Sequence, residues 1–103
     1  MDKLLIASAA LLLTTTPIFA DDAADIAAGA DLAKRWCSEC HVVGPDAKGG
    51  DAGPSFESVA QRPGIAEQDI KGWLAEPHPP MDTLNLTASD ARVLTRYIFS
   101  LNE

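Results

Sequence analysis

Apolar and polar positions divide the chain into one apolar run, in which Ser8 is the single polar residue, followed by three amphipathic stretches. The run from Leu4 to Leu13 shows no polar face and is broken by Thr14 to Pro17. From Asp22 to about Trp36 the chain is rich in alanine. It sets Ile26, Gly29, Leu32 or Ala33, and Trp36 at steps of three to four residues, the period of one helical face. Between His41 and Pro54, four glycines, two prolines and three charged residues favour turns, and a long loop is expected. A short helix is expected over Ile65 to Ala75. Ile70, Trp73 and Leu74 share a face there, Gly72 weakens it, and Pro77 stops it. Thr87 to Asp90 has the T-x-x-D form of a helix start: the hydroxyl can cap an orphan amide, and the carboxylate faces the positive end of the helix dipole. Ala91, Leu94, Tyr97, Ile98 and Leu101 then make one apolar stripe. Strand-like alternation is scarce, so the pattern predicts an all-α domain with helices at both ends and loops between.

The first twenty residues have the composition of a cleavable export signal. Lys3 and the amino terminus supply positive charge, slightly offset by Asp2. The apolar run of ten residues is too short to cross about 30 Å of hydrocarbon at about 1.5 Å per residue. Ala20 offers a small residue before Asp21 and Asp22, although Ile18 departs from the preferred cleavage pattern. Removal of residues 1–20 is therefore expected, leaving one domain over residues 21–103; a buried N-terminal helix is the competing reading. No cysteine follows the cut, so no lipid anchor is expected.

Composition and charge narrow the partners. Of 103 residues, 47% are hydrophobic and 22% charged, which excludes a disordered acidic tail. The net charge of -7 has the wrong sign for DNA phosphates or an anionic membrane, so no nucleic-acid partner is expected and a basic protein partner is favoured. A domain of 83 residues (103 less 20) builds only a thin apolar core and needs a staple, whether disulfides, a metal or a cofactor. Cys37 and Cys40 are too few and too close for a multi-bridge framework, so their role is chemical.

Cys37-Ser38-Glu39-Cys40-His41 carries the most information, because C-x-x-C-H is the attachment signature of a c-type haem. Thiols at i and i+3 lie on one helical face and can each form a thioether to one of the two vinyl groups on one edge of the macrocycle. His41 follows immediately and can reach the iron. A thioredoxin-like redox pair is a rival, but it needs a strand before the motif, where this chain is patterned as helix. A zinc site of Cys37, Cys40, His41 and His78 would strain a tetrahedron with adjacent ligands, and a plain disulfide would close too tight a loop to stabilise the domain much. Met81 is the only methionine after the signal and follows His78-Pro79-Pro80, whose prolines stiffen the backbone. A thioether would close the sixth coordination position and raise the potential, with His78 as the rival ligand.

The order of these pieces resembles the class I cytochromes c over nearly all of residues 22–102. Gly29 stands eight residues before the first cysteine, followed by C-x-x-C-H, Gly53-Pro54, Met81 in a proline-rich loop, and Tyr97 near the chain end. The resemblance implies three to four helices wrapped around one haem c attached through Cys37 and Cys40, with the N- and C-terminal helices crossing at Gly29 near Leu94 and Tyr97. It implies iron ligation by His41 and Met81, with the Pro54 carbonyl accepting the imidazole proton. Two positions depart from the family. Ala33 replaces a larger side chain, so the helix crossing is expected to lean more on Trp36 and Leu32. Asp82 follows Met81 where proline is frequent, leaving the ligand loop less restrained. The implied function is not catalysis but that of a soluble, monomeric periplasmic carrier of single electrons between redox proteins, one of them presenting a basic patch. An electron-accepting haem subunit of a larger dehydrogenase or oxidase is the main alternative. An open-site haem protein binding a gas or peroxide is the other.

Overall fold

The computed structural model describes residues 19–46 and 48–102, with the side chains of residues 19 and 20 left aside. Helices α1 (Phe19–Trp36), α2 (Phe56–Ala60), α3 (Glu67–Ala75) and α4 (Ala88–Ser100) follow in order, with a 3-10 turn at Met81–Thr83 before α4. The fold is all-α, and the one bridge among the described residues pairs Val42 with Gly49. Most of the expected export segment lies outside the described residues.

Asp21 and Asp22 in its first turn and Lys34 and Arg35 in its last complement the dipole of α1. This helix crosses α4 at Gly29. A Cβ at that position would run into the Val93 carbonyl oxygen and stand 2.7 Å from the Tyr97 Cβ. Only a residue without a side chain allows so close an approach. Ala33, fully buried, and Cys37, 8% exposed, continue the inner face of α1. The expected reliance on Trp36 is not met: its side chain is 40% exposed. Trp36 lies about two turns, roughly 10 Å, beyond the crossing, and helices that cross at an angle touch only near the crossing.

The start of α4 is the reciprocal cap expected from its sequence. Asp90 N–H donates to Thr87 Oγ1 at 3.0 Å, and Thr87 N–H to Asp90 Oδ2 at 3.0 Å. Ala91, Leu94, Tyr97 and Ile98 are buried as their spacing implies, while Leu101 is half-buried. In α3 the Ala66 N–H donates to Asp69 at 2.9 Å, fixing a start slightly later than expected. Ile70 and Leu74 are buried, but Trp73 is turned outward, 45% exposed, with the Arg62 guanidinium 5.4 Å from its ring centroid. The short helix α2 was not expected. Ser55 caps it through the Ser58 N–H at 3.1 Å, and Phe56 and Ala60 anchor it in the core.

Helices α1, α2 and α3 all pack on α4. Ion pairs outline the same assembly: Arg92 meets Asp25, and Arg96 lies 3.2 Å from both Asp22 and Glu67. These pairs are solvent-accessible, so burial of Ile70, Leu94 and their neighbours contributes more to holding the helices than charge does.

Candidate haem-attachment site

Beyond Trp36 the chain keeps turning. Cys37 N–H bonds to Ala33 O at 2.9 Å, Cys40 N–H to Cys37 O at 3.2 Å, and His41 N–H to Cys37 O at 2.9 Å. Both thiols are free; Cys37 is buried and Cys40 exposed. Burial, and secondarily the neighbouring Cys40, pushes the Cys37 thiol up to about 11. The glycine-rich segment folds back along this turn, with Gly50 N–H bonded to Ser38 O and Gly53 N–H to Cys40 O, both at 2.8 Å. Gly49 takes φ +128°, and a Cβ there would strike the His41 carbonyl. The expected irregular loop is therefore present but pinned. Its far side is tied to α4 by the Tyr97 hydroxyl, which donates to Val43 O at 2.5 Å.

His41 is held from two sides. Its Nδ1 lies 2.6 Å from Pro54 O. A carbonyl can only accept, so Nδ1 carries the proton and Nε2 keeps its lone pair for a metal. A Cβ on Gly53 would stand 2.8 Å from Nδ1 and 2.9 Å from Nε2, inside the space of the ring. The Phe56 ring packs against the imidazole with centroids 5.3 Å apart.

Met81 comes from a separate segment. It is half-buried against the apolar cluster that includes Cys37, and its backbone N–H bonds to His78 O at 2.7 Å. His78 itself is exposed. The structure thus brings Cys37, Cys40, His41 and Pro54 into one site and sets Met81 on the same core. Among the described residues no cluster of three or more His, Cys, Asp or Glu is placed to hold a metal, and the segment before Cys37 is helix α1.

No family model matches the chain, and no solved structure matches it. Cytochrome c-552 of Bradyrhizobium diazoefficiens is 46% identical over 81 residues, covering 77% of this chain and 77% of that protein. The chain belongs to the c-type cytochromes. As a member of that family the cytochrome is an electron carrier, not an enzyme, and its cofactor is covalently bound haem c. The side chains present fit such a group. Two free thiols stand at the attachment spacing, an imidazole has its outer nitrogen available, and a thioether is half-buried on the same core. No helix among the described residues is long and apolar enough to cross a membrane. Sequence reasoning missed Phe56 as a wall for His41. The only local sign was Ser55 followed by Ser58 at a helix-capping distance.

Proposed function

We propose that this cytochrome is a soluble periplasmic carrier that passes single electrons between redox proteins. In this reading Cys37 and Cys40 would tether the haem, His41 Nε2 and the Met81 sulfur would ligate its iron, and Pro54 orients His41. The observation that carries it is the 2.6 Å contact from His41 Nδ1 to Pro54 O beside two free thiols at i and i+3. Haem c, when bound, supplies a one-electron ferric/ferrous couple.

The residues around the site tune that couple. The Pro54 carbonyl fixes the tautomer of His41 and raises the basicity of its outer nitrogen. The soft Met81 thioether favours the reduced state over what a second imidazole would give. His41 and Met81 would both hold the iron in either oxidation state, so that no ligand need be gained or lost and reorganisation would stay small. The Phe56 ring covers one side of the imidazole.

Cleavage after Ala20 would release residues 21–103 into the periplasm. A net charge of -7 supports long-range attraction to a basic redox partner, with association weakening as salt screens it. The test is the optical spectrum of purified holoprotein before and after Met81→Ala, with intact mass measured alongside. A haem-sized mass increment and a sulfur-to-iron charge-transfer band lost in the variant are expected, with the unmodified protein indifferent to carbon monoxide. An unchanged spectrum would transfer the ligand role to His78 or water, and rapid carbon monoxide binding to the reduced unmodified protein would reveal an open site.

A further inference from the structure

Charge is unevenly spread along this chain, and it nearly cancels over the segment that carries Cys37 and Cys40. Residues 31–53 hold Lys34, Arg35 and Lys48 against Asp31, Glu39, Asp46 and Asp51, a net of -1, while the rest of the chain from residue 21 carries -6. Within the segment, Arg35 pairs with Asp31 at 2.8 Å. Asp46 lies toward α4, where its charge acts on the Tyr97 hydroxyl. The remaining charges, Lys34 and Lys48 against Glu39 and Asp51, cancel.

Trp36 lies in this charge-balanced segment, 40% exposed and one residue before Cys37. The Arg35 guanidinium sits 5.7 Å from its ring centroid. Cys40 is the exposed thiol of the pair, and the strand of loop at Gly50 to Gly53 is bonded to the Ser38 to Cys40 turn. A singly exposed indole is unremarkable by itself. Here it adjoins the attachment turn, where local charge vanishes on an otherwise acidic chain, and the centres of protein interfaces are depleted in charge and enriched in Trp and Arg.

We propose that Trp36 is the apolar anchor of the electron-exchange surface, and that the redox partner meets it with an uncharged apolar contact. The carboxylates elsewhere on the chain act only at long range, drawing in a partner whose basic groups lie outside that contact. This rests on the haem attachment proposed above.

Self-exchange between ferric and ferrous holoprotein tests it, with a second copy of the cytochrome as the probe. One electron leaves the ferrous copy and enters the ferric one, with no other chemical change, and NMR line broadening reads the rate. Two copies of net charge -7 repel each other whichever faces meet, so rates are compared at about 0.5 M salt, where that repulsion is largely screened. Trp36→Ala is expected to slow exchange at least about tenfold, and Glu39→Gln to change it less than about twofold, with mass and charge-transfer band unaltered in both. The proposal is overturned by a haem-bearing Trp36→Ala variant that exchanges at the unmodified rate. A purified unmodified protein whose mass lacks haem overturns the attachment reading, and this one with it.

Discussion

Replacing Gly29 with alanine should destabilise the holocytochrome even though alanine is the better helix former. Intrinsic propensity alone favours the substitution by about 1 kcal/mol. Against this, the new Cβ would overlap the Val93 carbonyl oxygen and stand 2.7 Å from both the Val93 carbonyl carbon and the Tyr97 Cβ. Unstrained carbon contacts lie near 3.5–4.0 Å, so α1 and α4 must separate by roughly 1 Å. The obstacle is the backbone of α4 and not a flexible side-chain tip, which puts the overpacking cost toward the upper part of its usual range of about 1–3 kcal/mol. The net loss is about 1–2 kcal/mol. For a domain of this size it lowers the melting temperature by roughly 5–15 °C. Gly72→Ala is the internal control. Gly72 also lies inside a helix, α3, but nothing stands within 4 Å of the added methyl. That variant should gain about 0.5–1 kcal/mol and melt a few degrees higher. Far-UV circular dichroism melts of the oxidised holoproteins measure both. A Gly29→Ala protein that melts at or above the unmodified one refutes the crossing geometry.

Gly53→Ala should displace the imidazole from its seat against the loop, shifting the haem spectrum and lowering the potential. Unchanged optical and voltammetric behaviour would show that the ring does not lie there. Tyr97→Phe should cost about 1 kcal/mol near neutral pH by leaving the Val43 carbonyl without its donor. Burial, and secondarily Asp46, raises the Tyr97 hydroxyl above its usual range, so the folded state keeps the proton after the unfolded chain has lost it. The stability this contributes is intact below about pH 10 and declines as pH climbs through the folded value. Denaturant unfolding from pH 8 upward should show that decline in the unmodified protein and not in Tyr97→Phe; parallel curves would contradict it. Cys37→Ser with Cys40→Ser should yield a largely unfolded chain, because the tethered macrocycle completes the core. A compact double variant that melts cooperatively without tetrapyrrole would count against this.

What could be read from the sequence was whatever is local. The cap formed by Thr87 and Asp90, the buried stripe of α4 and the turn from Cys37 to His41 each depend on residues within a few positions of one another. The contact from His41 to Pro54 spans thirteen positions, and only the likeness to a family anticipated it. Helix α2 escaped because five residues are too few to display a period, and with it escaped Phe56 against His41. Both tryptophans were misplaced for a further reason. Trp73 and Trp36 fit the period of an apolar face, but period fixes only an angle around a helix axis, while burial also depends on how far along that axis the neighbouring helix stays in contact.

The seam between α1 and α4 is set by its small residues. Ala33 was expected to shift packing onto Trp36 and Leu32. Instead Ala33 is fully buried, Leu32 is half-buried against the core, and Trp36 is exposed. Small side chains at Gly29 and Ala33 let the two helices approach closely, so the seam is filled by backbone and by α4 side chains. A larger residue at position 33, which has no exposed surface, would push α1 and α4 apart next to the Gly29 crossing. Substituting leucine there should therefore cost about 1–3 kcal/mol of stability through overpacking, while Trp36, which lies beyond the contact, stays exposed. A leucine variant that unfolds in denaturant at the same midpoint as the unmodified cytochrome would mean that the two helices do not approach closely at this seam.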